Sequence, residues 1–462
     1  MKGRAMRLAA ATAAACLILG ATPAFAQSAN ADLLLKLKEK GILSDEEYQQ
    51  LMARDQAQAA PAQPAPQAAA AAALDDKKIV HMSDSGVGFE MAGVTLKFSG
   101  SVNGFYVHDS GDKSTANTAV AGGLATVGNN SSSVRNGLLP GFLKVDVTTR
   151  QAGWDIGAHF GLYPGINSVT GVGGANSAGN PTALGTSGID FRQTYLTFGK
   201  PNIGEFKIGR DIGLFGSEAI LNDITLLSSG TPAGNAAPSN TTLGRIGIGY
   251  IYTDFQPQVT YTTPKISGFQ ASFGVFQPLT TIGSGEINGT PGFQAKLVYD
   301  FKAGGVAGHL WVSGITQKHD GVGGFPSYTG NAIDVGAKFS VAGFTALGYY
   351  YTGSGVGTTG LFLLSTAANG RKRDSDGFYG QATYTIGKFT LGGSYGESRL
   401  DLAPGEINPI LLRKNSSWVG QARYGLTSWV TLLGEYVHTK AEAQGINQAT
   451  SNAAAAGAIL FF

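Results

Sequence analysis

From Val94 onward the chain alternates apolar and polar residues with a period of two, over and over. Val94, Leu96 and Phe98 alternate with Thr95, Lys97 and Ser99. Leu143, Val145 and Val147 alternate with Lys144, Asp146 and Thr148. Phe293, Ala295, Leu297, Tyr299 and Phe301 alternate with Gln294, Lys296 and Asp300, and Ile333, Val335, Ala337 and Phe339 with Asp334 and Lys338. In an extended strand this period sends the two sets to opposite faces. A soluble sandwich also alternates. The number and length of these runs, and the aromatics at their ends, favour a barrel.

The runs and the turn signals between them predict strands at 93–108, 138–150, 152–162, 189–199, 204–212, 256–263, 268–276, 291–301, 304–316, 330–340, 343–352, 377–386, 388–399, 415–426, 428–440 and 451–462. That is an even number, 16, as single-chain bacterial barrels require. Short joins at Gln151, Pro201-Asn202-Ile203, Val341-Ala342, Gly387 and Thr427 alternate with long Gly/Ser/Asn-rich joins at 109–137, 163–188, 213–255, 317–329, 353–376 and 400–414. Tight turns at one rim and long loops at the other complete the barrel pattern.

Composition agrees. Charged residues are only 14% and there are 68 glycines; ordinary globular domains carry about 25% charged residues. After the first segment no run approaches the roughly 18 apolar residues of a membrane helix. In a barrel wall only alternate residues need be apolar.

The first 26 residues read as an export signal. Lys2, Arg4 and Arg7 precede an apolar run from Leu8 to Ala21, and Ala24-Phe25-Ala26 places the cut before Gln27. Cys16, the sole cysteine, lies inside it, so a disulfide framework, thiolate metal sites and a cysteine nucleophile are excluded from the mature chain. The 33 basic and 31 acidic residues lose three bases with the signal, for a net charge of −1. That balance gives no footprint for nucleic acid.

Residues 27–56 have helix character. Asp32 to Lys40 is followed by Gly41, and Ser44 with Glu47 makes a capping box for a second helix reaching about Arg54. Leu34, Leu37, Tyr48 and Leu51 offer one apolar stripe, so a plain helical hairpin and an oligomerising periplasmic helix are both open. Residues 57–73 contain only Ala, Pro and Gln and read as a spacer within a linker and lead-in that extends to 92. The barrel then occupies 93–462.

Three stretches resemble the Gram-negative trimeric outer-membrane porins: VTLKFSGSVNGFYV at 94–107, FRQTYLTFGKPNIGEFKIGR at 191–210 and QPQVTYTTPKISGFQASFGVF at 256–276. The N-terminal helix and spacer look more like the DcaP-type or phosphate-selective porins, which carry a helical extension. The turn at Lys200 to Gly204 is a residue longer than usual. The resemblance implies an all-β, 16-stranded antiparallel transmembrane barrel, a homotrimer, and a long third loop folded into the lumen, here about Gly213 to Phe255. It implies an outer-membrane channel for passive diffusion of small hydrophilic solutes and ions, with membrane lipid around it and no cofactor. The terminal Phe462 matches the aromatic C-terminus read by the outer-membrane assembly machinery.

Such a channel works by charge placement at its constriction. The candidates are Glu218 and Asp223 from the loop, with Arg245 near its return, and Arg192, Arg210, Lys207, Arg150 and Lys144 on the wall. Alternation sets Lys144 and Arg150 opposite Leu143 and Val147, and Arg192 opposite Phe191 and Tyr195. Arg210 falls with Phe206 and Ile208 and needs a bulge near Gly209 to face inward. Tyr349, Tyr350, Tyr351, Tyr384, Trp418, Trp429 and Tyr436 are expected in the aromatic girdles at the membrane interfaces. Two other classes remain in view. A barrel lipase or protease needs a serine or acid pair beside a histidine, and none of His81, His108, His159, His309, His319 and His438 sits in a recognisable nucleophile motif. A non-conducting barrel serving as an adhesin or envelope anchor would use the helical segment to grip the cell wall.

Overall fold

The computed structural model describes residues 86–166, 189–232, 241–281 and 284–462, together with Gln49 and the backbone of His81–Met82. The chain divides into two units, residues 2–79 and residues 80–462. The expected export signal and the Ala/Pro/Gln spacer lie outside the described residues. So does the 27–56 segment, except Gln49, which is helical.

Sixteen strands close into one sheet. They are β1 (Val94–Gly111), β2 (Phe142–Gln151), β3 (Trp154–Pro164), β4 (Ile189–Lys200), β5 (Gly204–Ile212), β6 (Phe255–Thr262), β7 (Phe269–Phe276) and β8 (Gly292–Ala303), then β9 (Val306–His319), β10 (Tyr328–Val341), β11 (Phe344–Ser354), β12 (Asp374–Ile386), β13 (Phe389–Leu400), β14 (Leu412–Gly425), β15 (Val430–Ala443) and β16 (Gln448–Phe461). Every neighbouring pair is antiparallel. β16 returns to β1, with Ser451 opposite Gly111 and Phe461 opposite Ser101. Closure leaves no unpaired edge to meet hydrocarbon. Among the described residues no helix is long and apolar enough to cross a membrane. The predicted strands are all present, and several run further toward the long loops: β9 reaches His319 and β15 reaches Ala443. The lead-in also joins the sheet, since Gly88–Met91 pairs with Val94–Lys97 of β1.

The hairpins at the short-turn rim follow from local chemistry. Ala152-Gly153, Gly304-Gly305 and Ala342-Gly343 all hold positive φ at both positions, from 46° to 86°. This is the type I′ geometry whose twist suits a two-residue hairpin.

Alternation then sorts the faces. Val102, Phe160, Leu196, Ile208, Phe273, Phe293, Ile333 and Leu391 point outward and are exposed, while the inward Asn103, Gln258, Gln294, Ser313 and Asp334 are buried. Apolar outside and polar inside reverses a soluble protein and suits a wall between lipid and water.

The described parts of the third loop, residues 213–232 and 241–254, lie inside this wall. They contain helix α1 (Ser217–Asn222) and a 3-10 turn at Ile224–Leu227. The main apolar core forms between loop and wall. Phe215, Ala219, Ile220, Ile246, Tyr250 and Ile251 from the loop pack with Trp311 and Ile315 of β9, Leu347, Tyr349 and Tyr351 of β11, and Tyr379 of β12. Full burial of each such side chain contributes about 1.5–3 kcal/mol.

Candidate functional site

The path of the loop is set by hydrogen bonds to the inner wall from β8 to β15. Gln294 Oε1 accepts from the Leu214 and Phe215 amides at 2.8 and 3.0 Å. Asp334 Oδ2 accepts from the Gly216 amide at 2.8 Å. Tyr379 donates to the Ala219 carbonyl at 2.7 Å. Gln381 brackets the end of α1, donating to the Asn222 carbonyl at 2.7 Å and accepting from the Ile224 amide at 2.8 Å. Arg423 Nη2 donates to the Ile224 carbonyl at 2.5 Å. Glu435 finally takes the Ser228 hydroxyl at 2.6 Å and the Gly230 amide at 2.7 Å. Each bond removes an orphan backbone or side-chain group, whose burial unpaired would cost about 1–3 kcal/mol.

Glu218 stands on α1 and meets the wall directly. Its carboxylate receives Lys296 Nζ at 2.7 Å and His309 Nε2 at 3.2 Å. His309 uses its other nitrogen on Asp300, at 2.6 Å, and Asp300 also receives Lys265. Burial pushes the Glu218 carboxyl up, but the Lys296 charge and the hydrogen bonds from His309 and Lys296 outweigh it and hold it at about 2. Glu218 is therefore a docking contact.

Asp223 does not line open water. It is buried, accepting from the Thr225 amide and hydroxyl at 2.9 and 2.7 Å and from Tyr250 at 2.9 Å. It caps the 3-10 turn. Burial raises its carboxyl despite Arg245 and these hydrogen bonds. Arg245 is buried too and donates to the Ser417 carbonyl at 3.2 Å; burial lowers its guanidinium.

On the opposite side, β2 to β5 present a different wall. Lys144, Asp146, His159, Tyr195, Lys207 and Asp211 share the inward face. Lys207 reaches Asp211 at 2.5 Å and stands 5.0 Å from the centroid of the Tyr195 ring. Asp146 meets His159 Nδ1 at 2.6 Å, and His159 stacks on Tyr195. Lys144 lies within electrostatic range of Lys207, Asp146 and Asp211.

The remaining wall candidates divide. Arg150 shares the Lys144 face but sits next to the Ala152-Gly153 turn, exposed and 3.6 Å from Asp155, at the short-turn mouth. Arg192 lies where the β3–β4 register shifts between Gly161 and Tyr163. It pairs with Asp190 at 2.5 Å and stands over the Tyr163 and Phe255 rings. That shift also corrects the expected alternation, because Tyr195 faces inward. Arg210 is a correction as well. The register of β5 with β4 and β6 runs unbroken through Gly209, so no bulge turns Arg210 inward. It stays on the outer face with Ile208 and donates to the Phe255 carbonyl at 2.6 Å. Among the expected girdle aromatics, Tyr350, Tyr384, Trp418, Trp429 and Tyr436 are exposed, but Tyr349 and Tyr351 turn inward and are buried under the loop.

Sequence reasoning passed over Lys296, His309, Lys338 and Arg423 as site residues. The signal existed: Lys296 and Lys338 already belonged to the polar set of their alternating runs, and Arg423 has the parity of Gln421.

Comparison with known proteins now adds the family. The Gram-negative porin family profile matches residues 57–444. No curated protein sequence matches the chain. Among solved structures, the outer membrane channel DcaP of Acinetobacter baumannii aligns with a TM-score of 0.60 at 16% identity, covering 81% of this chain and 99% of that one. The anion-selective porin from Comamonas acidovorans aligns at 0.52 and 14% identity, covering 80% and 100%. Salmonella typhi OmpF aligns at 0.51 and 13% identity, covering 80% and 98%. At such identities these likenesses speak to the fold, a closed 16-stranded antiparallel barrel. With the family match over most of its length, that fold makes the chain an outer-membrane channel for passive diffusion of solutes, and the chain belongs to the Gram-negative porin family.

Proposed function

We propose that small hydrophilic solutes pass between the docked third loop and the β2–β5 wall, and that Lys144 and Lys207 line this passage. The observation that carries the reading is the contrast inside one closed sheet: among the described residues the loop covers the β8–β15 wall, while β2–β5 keep charged side chains without such a cover. Arg150 and Arg192 flank the passage in this reading. Glu218 shapes it by holding α1 against Lys296 and His309; Asp223 and Arg210 take no part in it. Fold and family point to a channel rather than an enzyme. The family resemblance supports a homotrimer, and Phe462 as the residue offered to the assembly machinery. Residues 1–26 as export signal, 27–56 as a helical periplasmic segment and 57–92 as linker and lead-in complete the proposed layout.

Purified protein in planar lipid bilayers tests the reading. Long-lived conductance steps that scale with salt are expected. A folded barrel that inserts and carries no current would contradict it and favour the non-conducting anchor.

A further inference from the structure

The charges around the passage differ in how they meet water. Along the covered wall Glu218, Asp223 and Glu435 are taken up by the loop contact, while Asp300, 37% exposed, is neutralised by Lys265 and His309. Glu218 is held by Lys296 and His309 with 15% of its side chain exposed. Asp223 and Glu435 are buried on hydrogen-bond donors of the loop. The cations at the border of this contact are placed otherwise. Lys338 Nζ donates to Asn222 Oδ1 at 3.0 Å, and Arg423 donates to the Ile224 carbonyl. Both side chains are half-buried. Their hydrogen-bond partners are amide and carbonyl oxygens, which carry no countercharge; the carboxylates that act on them, Glu218 on Lys338 and Glu435 and Asp223 on Arg423, do so from beyond ion-pair distance and are themselves committed to the loop contact. Neither residue makes an ion pair among the described residues, and neither does Lys144 on the facing wall. In the Lys207–Asp211 pair the lysine is 26% exposed and the aspartate 5%, so the cation is the member nearer the water. Asp146, half-buried and shared with His159, is the counterweight on that wall. An acidic loop opposed to a basic wall would give a transverse field; here both sides turn cations toward the passage.

Resting on the channel reading, we infer that the narrowed zone favours small anions, with Lys338 and Arg423 on the covered side and Lys144 on the bare side setting the preference. Unbalanced charges lining a confined aqueous path concentrate counter-ions and repel ions of like sign.

The full mature protein in a planar bilayer of neutral lipid, under a potassium chloride gradient, tests this through its reversal potential. Chloride should be more permeant than potassium. Lys338→Gln, Arg423→Gln and Lys144→Gln should each lower the chloride-to-potassium ratio by roughly two- to fourfold, the effect of one unit charge at about 10 Å in water on ions of both signs. Arg423 also anchors the loop, whereas Lys144 carries none of the hydrogen bonds that dock it, so Lys144→Gln remains informative if the loop is disturbed. Steady current that prefers potassium, or a ratio that neither lysine change moves, overturns the anion assignment and leaves the channel reading intact. Absence of current overturns both.

Discussion

The inner wall of this barrel has two halves that obey different rules. Around β9, β11 and β12 the inward face carries an apolar patch, Trp311, Ile315, Leu347 and Tyr349, packed against loop residues Phe215, Ile220 and Tyr250, with polar neighbours such as Ser313 and Gln381 bonded beside it. Around β2 to β5 the inward face is ionic, with Lys144, Asp146, Lys207 and Asp211. The first half behaves like the core of a soluble domain and fixes the loop by burial. The second makes no such core and relies on water and short-range pairing. A strand of a porin can therefore be apolar on both faces where a loop covers it.

Breaking the covered half should produce the largest effects. Tyr379→Ala removes a buried ring and the hydrogen bond to Ala219, at a cost of about 3–5 kcal/mol to the docked state. The loop should become open to protease in detergent, and single-channel current should become larger and noisier. Glu218→Ala comes next, because it leaves Lys296 without its carboxylate in a partly buried place, where an uncompensated charge costs about 3 kcal/mol. The same contact predicts a pH dependence. The Glu218 carboxyl titrates at about 2 in the folded chain against an ordinary value of 4.5. Its folded value lies below the unfolded one, so its contribution is complete above about 4.5 and is lost as pH falls toward about 2. Loop protection from acid protease should fall across that window, and Glu218→Gln should flatten the change.

Effects on the bare half should be smaller in stability and larger in transport. Lys207→Gln should cost about 1–3 kcal/mol, because the nearly buried Asp211 loses its cation but keeps the Gln193 hydrogen bond, yet shift the reversal potential. Smallest of all, Arg210→Ala on the outer face should leave ion preference unchanged and alter stability by less than about 0.5 kcal/mol. A shift in ion preference for this variant would mean that β5 is turned the other way.

The same contrast explains what the sequence disclosed. Strands with one apolar and one polar face, such as Phe293–Phe301, were legible because period two names the face that meets lipid. The run Tyr349-Tyr350-Tyr351 was not, because three consecutive amphipathic rings give no parity; only the covering loop decides that Tyr349 and Tyr351 go inward. Arg192 defeated strict alternation at the register shift between β3 and β4, while Arg210 obeyed it where a bulge had been invoked. The acidic residues of the loop were visible as candidates. Their fates depend on contacts far along the chain: Glu218 with Lys296 and His309, and Asp223 with Tyr250. No local pattern reports those distances. Lys338 and Arg423 were overlooked for the same reason, since their importance comes from the loop end they border.

Cysteine accessibility tests the two-walled interior most directly. Cys16 is the sole cysteine in the sequence and lies in the proposed export segment; with Cys16→Ser as the background, single cysteines introduced in the barrel report alone. With the protein in lipid vesicles and a charged, membrane-impermeant thiol reagent, Lys207→Cys should react readily. Leu347→Cys under the loop and Leu196→Cys against lipid should stay protected. Equal reactivity of Leu347→Cys and Lys207→Cys, or protection of Lys207→Cys, would contradict the account.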